Sequence, residues 1–124
     1  MSSMTNGVGW FQIGAQDPDT VGKFYGQLFG WEYADDRHAG SRYRVITTPA
    51  EGSIQGGLFH AESAQQQHAM FCVQVEDVAA TCAAAQAAGG TVVVQPASTP
   101  SGLTFADLLD PAGNLFGIYA PPAA

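Results

Sequence analysis

WFQIGAQDPDTVGKFYGQLFGW, residues 10–31, and MFCVQVEDVAATCAAAQAAGGT, residues 70–91, come into register when the chain is shifted by sixty positions. Phe11 falls on Phe71, Ile13 on Val73, Asp17 on Asp77 and Gly30 on Gly90. Each segment alternates apolar and polar residues, reaches an aspartate, changes to helical spacing and ends on glycine. Alternation is the two-sided period of a strand. Aspartate is a good N-cap because its carboxylate accepts from the free N–H groups of the first turn, and glycine ends a helix by turning left-handed. Both segments therefore read as strand, cap, helix, cap. In the first, Pro18 suits the opening helical position, and Val21, Phe24, Tyr25 and Leu28 make an apolar face. In the second, alanine-rich residues from Asp77 to about Ala88 supply propensity, and Gly89-Gly90 end the helix.

The repeat continues beyond the helices. EGSIQGGLF (51–59) resembles AGNLFGIYA (112–120) at a shift of sixty-one, which places Gly52 on Gly113, Ile54 on Leu115 and Gly56 on Gly117. Two further strands fit in each half, near Glu32–Asp35 and Arg42–Thr48, then near Thr91–Gln95 and Thr104–Leu109. Each half is then a strand, a helix and three strands. The expected fold is α+β, one domain over residues 1–124, with module one at about 8–60 and module two at about 68–120. In DLLDPAGNLFGIYAPP (107–122), Asp110-Pro111-Ala112-Gly113 is a tight turn between the last two strands. Gly117 leaves a gap in the final strand, of the kind that marks a close approach of backbone or ligand.

Composition narrows the function. The chain is 46% hydrophobic and 12% charged, a globular balance, with a net charge of −7 and four basic residues. Phosphate backbones need clustered lysine and arginine, so nucleic acid is excluded as a partner, and an anionic membrane surface is equally unsuited. No apolar run is long enough to span a bilayer. MSSMTNGVGW lacks the basic start and apolar core of a signal peptide, which sets the expectation of a cytoplasmic protein. Cys72 and Cys82 have neither metal-knuckle nor disulfide-scaffold spacing and read as free thiols. GVGWFQ imitates the start of a dinucleotide fingerprint, but it precedes a strand where the fingerprint must follow one.

The doubled strand–helix–three-strand unit, FYGQLFGW at the first helix end and DPAGNLFGIY at the final turn together resemble the vicinal oxygen chelate superfamily. That superfamily includes glyoxalase I, extradiol dioxygenases and bleomycin-resistance proteins. The resemblance implies two modules whose mixed sheets curl into a cup, helices on the outer face, a ligand in the cup and frequent assembly as dimers. It also implies divalent-metal ligands on the first and last strand of each module. Carried over, these positions fall on Trp10 and Met70, on Gly117, and, through the shift of sixty-one, on Gly56. None supplies a donor suited to a hard or borderline divalent ion. The resemblance is to a glyoxalase-like branch without the usual metal ligands, so no cofactor is expected.

With Trp10, Met70, Gly56 and Gly117 placed in the cup by the resemblance, strand alternation adds Gln12, Cys72 and Tyr119 to its lining. This is a mostly apolar and aromatic lining suited to a small organic molecule. Each residue also has a plainer reading. Trp10, Met70 and Cys72 are common core residues, and a neighbour can satisfy the Gln12 amide. His68 and Asp107 are candidates for acid–base chemistry, Asp107 only if its strand turns it towards the cup. His60 and His68, with Gln12 or Glu62, offer the one displaced metal site worth considering. His38 reads as exposed, Arg42 and Arg44 as solvent-facing, and Asp17, Asp77 and Asp110 as caps or turn formers. Two functions follow: a metal-independent binder of a small neutral or cationic organic molecule, or a lyase or isomerase using acid–base residues or a displaced metal. A homodimer is expected in either case, since short modules leave sheet edges and an apolar rim to cover.

Overall fold

The computed structural model describes residues 4–37 and 40–122. Among the described residues the fold is α+β: two α-helices, a short 3-10 turn and eight strands, paired in mixed parallel and antiparallel fashion. The order is β1 (Val8–Ala15), α1 (Pro18–Phe29), β2 (Glu32–Asp36), β3 (Gly40–Thr47), β4 (Gly56–His60), β5 (His68–Gln74), α2 (Val78–Ala87), β6 (Thr91–Ser98), β7 (Thr104–Leu109) and β8 (Leu115–Ala120). The expected doubling of a strand–helix–three-strand unit is thus present. The chain divides into two compact units, residues 10–69 and residues 70–124 with the first nine. His38 lies outside the described residues.

In the first unit the strand order is β2-β3-β4-β1, with β1 and β4 parallel and the other pairs antiparallel. Asp17 caps α1: its carboxylate accepts from the Thr20 N–H at 3.2 Å and from the Thr20 hydroxyl at 2.8 Å. Gly30 ends the helix at φ +72°, and the turn lays Trp31 back on Tyr25 with ring centroids 5.1 Å apart. This explains the LFGW ending, since only a left-handed residue reverses the chain so tightly. One face of the sheet buries Ile13, Ala15, Ile46 and Leu58 against Val21 and Tyr25 of α1. The expected apolar face of α1 is only half used, because Phe24 and Leu28 stay 57% and 58% exposed. The helix meets the sheet along Gly22, its buried residue, which lies beside Leu58 and Tyr33, and the helical period then turns Phe24 and Leu28 to the opposite side.

In the second unit the order is β5-β8-β7-β6, with β5 and β8 parallel. Asp77 caps α2 through the Ala80 N–H at 2.9 Å. Val78 and Cys82 of α2 pack with Val75, Ala106, Leu108 and Ile118. The Asp110 carboxylate closes the β7–β8 turn by accepting from the Ala112 and Asn114 N–H groups, each at 2.9 Å. Gly113 completes that turn at φ +92°. These bonds hold the Asp110 carboxyl below its ordinary range, the Asn114 side chain first among them, and confirm it as a turn former.

Candidate functional site

In both units the helix covers one face of the sheet, so the functional question concerns the other face. Odd-numbered β1 residues point to α1, which leaves Trp10, Gln12 and Gly14 opposite. The Trp10 indole donates to the Tyr43 hydroxyl at 3.0 Å, and that hydroxyl donates to the Gln12 carbonyl oxygen at 3.2 Å. The chain of bonds orients the Gln12 side chain and leaves its NH2 without a partner among the described residues.

Gly57 makes this possible. A Cβ built there would strike the Tyr43 ring and hydroxyl, so the ring lies flat over the glycine. Gly57 pairs with Gln12, as Gly117 pairs with Cys72, and the two pairs are related by a shift of sixty. Gly56, expected on this face from the shift of sixty-one, is on the opposite one: it pairs with Phe11, whose ring carbons would sit 2.6–2.7 Å from its Cβ. The correction is a single residue, and a one-residue slip moves a side chain to the other face of a sheet. Nothing in the Gly56-Gly57 pair distinguished them before β4 was paired. Tyr43 also escaped notice, although it alternates with Arg42 and Arg44. Those arginines bind Glu62 at 2.7 Å and Asp19 at 2.6 Å, and Arg44 is only 19% exposed, so it is less solvent-facing than expected.

In the second unit Met70, Cys72, Asp107, Gly117 and Tyr119 share the face opposite α2. A Cβ on Gly117 would lie 3.1 Å from Cys72 Sγ, 3.3 Å from Met70 Cε and 3.5 Å from Asp107 Oδ1. The floor space expected above Gly117 is therefore largely filled by Met70 and Cys72, each only 7% exposed. Burial, then the nearby Asp107, pushes the Cys72 thiol up to about 12, so it stays protonated and is no nucleophile. Burial also raises the Asp107 carboxyl above its ordinary range. Half-buried Asp107 has no hydrogen-bond or ion-pair partner among the described residues. Tyr119 lies over Gly9, its hydroxyl pushed up by burial and then by Cys72.

The histidines are not brought together. His68 packs on the Phe59 ring, with centroids 5.3 Å apart, and its Nε2 is enclosed without a hydrogen-bond partner among the described residues. Burial lowers its pKa, partly offset by a hydrogen bond with the Gln66 backbone. Exposed His60 follows Phe59 on β4 and points to the other face. Among the described residues no three His, Cys, Asp or Glu side chains converge as a metal site. The positions where the resemblance puts the family's metal ligands hold an indole and a bare glycine in the first unit and a thioether and a bare glycine in the second, a set that does not fit that metal. Thioether and indole suit no hard divalent ion.

Comparison with known proteins agrees with this architecture. The glyoxalase-like domain family matches residues 10–119. CFP32 of Mycobacterium bovis and Mycobacterium tuberculosis, which carries a glyoxylase name, is 32% identical over 113 residues, covering 90% of this chain and 43% of that protein. The anthracycline biosynthesis protein DauV of a Streptomyces species is 31% identical over 131 residues, covering 100% of this chain and 46% of DauV. The chain thus spans less than half the length of these curated relatives. Among solved structures, the methylmalonyl-CoA epimerase of Mycobacterium tuberculosis superposes with a TM-score of 0.61 at 17% identity, covering 99% of this chain and 93% of that one. The Mn(II)-bound glyoxalase of Novosphingobium aromaticivorans gives 0.63 at 22% identity, covering 96% and 40%. At those identities the structural likeness speaks for fold alone. Family match, relatives and fold together place the chain in the glyoxalase-like domain family of the vicinal oxygen chelate superfamily.

Proposed function

We propose that the protein binds a small organic molecule on the helix-free faces of its sheets and does so without the family's divalent metal. The observation that carries this reading is the bonded series Trp10, Tyr43, Gln12. It spends the Gln12 carbonyl on the protein and turns the amide NH2 into an oriented, unmatched donor beside two aromatic side chains. An oriented polar group on a largely apolar lining is the usual make-up of a small-molecule site. The chemistry of Trp10, Gly57, Met70 and Gly117, none a ligand for a hard divalent ion, supports the metal-independent part.

Thermal-shift screening of small aromatic compounds tests the binding, since a ligand of the folded state raises the melting temperature. Hits should lose their shift in Gln12→Ala and in Tyr43→Phe. Hits that bind both variants as before would remove the triad from the site. Metal analysis tests the other half: stoichiometric Zn, Ni, Fe or Mn that survives dialysis and is lost in His60→Ala or His68→Ala would overturn metal independence.

A second reading, a metal-free lyase or isomerase, is favoured by Asp107, because a carboxyl raised by burial is better matched to proton transfer near neutral pH. His68 supports it less, since its Nε2 is enclosed. The protein is further proposed to be a cytoplasmic homodimer with no nucleic-acid partner. The net charge of −7 supports the last of these. The exposed Phe24, Leu28 and Phe29 of α1 support self-association.

A further inference from the structure

Residues 1–9 and 70–124, which form the second unit, contain no lysine, arginine or histidine, while Glu76, Asp77, Asp107 and Asp110 are all acidic. All four basic residues of the chain belong to the first unit, where Arg42 and Arg44 are already paired with Glu62 and Asp19. The acids of the second unit are not alike. Asp77 and Asp110 are spent on backbone N–H groups, and Glu76 is exposed. Asp107 alone stands on the helix-free face, half-buried, without a hydrogen bond or ion pair among the described residues. Its Oδ1 lies 3.5 Å from where a Gly117 side chain would begin, beside the Cys72 thiol and the Met70 methyl. Phe105 and Tyr119, cross-strand partners, share that face two residues along from Asp107 and Gly117.

We propose that this face is a binding site for small organic cations, an amine or quaternary ammonium on an apolar or aromatic body, with the Asp107 carboxylate as counter-ion. The inference rests on the small-molecule reading above and names the charge of the ligand. A half-buried carboxylate with no protein partner is costly, and a cation that arrives with the ligand removes the cost. The lining suits the rest of such a molecule. Met70 is an adaptable apolar contact, and the Phe105 and Tyr119 rings attract a cation through their faces. The acidity of the whole chain adds long-range attraction of the same sign.

The test is a titration of the 15N-labelled 124-residue chain at neutral pH with three probes of one shape: benzylamine, benzyl alcohol and benzoate. Benzylamine, protonated, should shift amides in 70–74, 105–109 and 115–119 saturably, bind about tenfold or more tighter than the other two, and weaken as salt is added, as expected for an ion pair in partly desolvated surroundings. Asp107→Asn should lose about tenfold for benzylamine and leave benzyl alcohol unchanged. Asp107→Glu should retain the preference for the amine. Equal binding of benzyl alcohol and benzylamine at this face would overturn the cation assignment and leave the small-molecule reading standing. Shifts by none of the three would overturn both. The comparison of probes on the wild-type protein needs no variant, so a poorly folded Asp107→Asn would not spare the proposal.

Discussion

Asp107 and His68 show what single residues set. Burial raises the Asp107 carboxyl, so the folded state binds its proton more readily than the unfolded chain does. Its contribution to stability is complete below the ordinary value of 3.8 and is lost as pH rises through the raised folded value. Asp107→Asn should therefore raise the melting temperature at neutral pH, with the gain vanishing in acid. Unchanged melting at neutral pH would mean that the carboxylate is better solvated than its surroundings indicate. His68 has the opposite sign. Its folded pKa is depressed below 6.5, so its contribution is present above 6.5 and lost as pH falls through the folded value. His68→Leu should flatten the loss of stability in urea titrations below neutral pH. The glycines give a third prediction. At Gly57 a methyl group meets the Tyr43 ring, so Gly57→Ala should cost about 1–3 kcal/mol and break the bonds to Trp10 and Gln12. At Gly117 it meets the side-chain ends of Cys72 and Met70, at 3.1 and 3.3 Å, and Asp107 Oδ1 at an ordinary contact distance of 3.5 Å, so Gly117→Ala should cost less than about 1 kcal/mol. Equal costs in urea denaturation would contradict this ordering.

At the scale of elements, the two helices are made by different means and should fail differently. Helix α1 has Gly22 and Gly26 in its interior, poor formers of helix, and depends on packing against β4, Tyr33 and the Trp31 stack. Helix α2 rests on alanine propensity, with Val78 and Cys82 as its buried contacts. The Asp77 cap is therefore a larger share of what sets its start, and Asp77→Ala should cost about 1 kcal/mol by denaturant midpoint. Strand β6 shows how an edge is managed. It carries Pro96 where a ladder donor would stand, and its pairing with β7 slips between Val92 and Val94 and again before Ala97. A proline and irregular register blunt an edge against unwanted strand addition.

At the scale of the molecule, each module places its helix on one face, and the two differ in what the helix-free face carries. The first offers an oriented amide and the second a carboxylate with no hydrogen bond or ion pair among the described residues. Association belongs to this scale as well. Phe24, Leu28 and Phe29 expose over half their surface on one helix, an arrangement that self-association would bury. Sedimentation should give a dimer, and Phe24→Glu with Leu28→Glu should give a folded monomer. A monomeric wild type would reject the expectation.

Most of the architecture was legible in the sequence because it is written in local terms. Alternation, an aspartate cap and a terminal glycine act within a few residues, and their repetition sixty residues on made the module visible. Asp17, Asp77, Asp110 and Gly30 do in the structure what their neighbours alone predict. Strand parity likewise put Met70, Cys72 and Tyr119 on one face with Gly117. Tertiary structure decided the rest. Whether Gly56 or Gly57 faces Gln12 depends on how β4 registers against β1, a pairing between residues some forty-five apart that no local pattern specifies. Whether Asp107 faces solvent, helix or site was open until β7 paired with β8 and set it opposite Gly117. The physical reason is the same in both cases. A helix or turn is stabilised mainly by residues close along the chain, whereas the face a strand residue presents is fixed by its cross-strand partner, and one residue of register turns every side chain over.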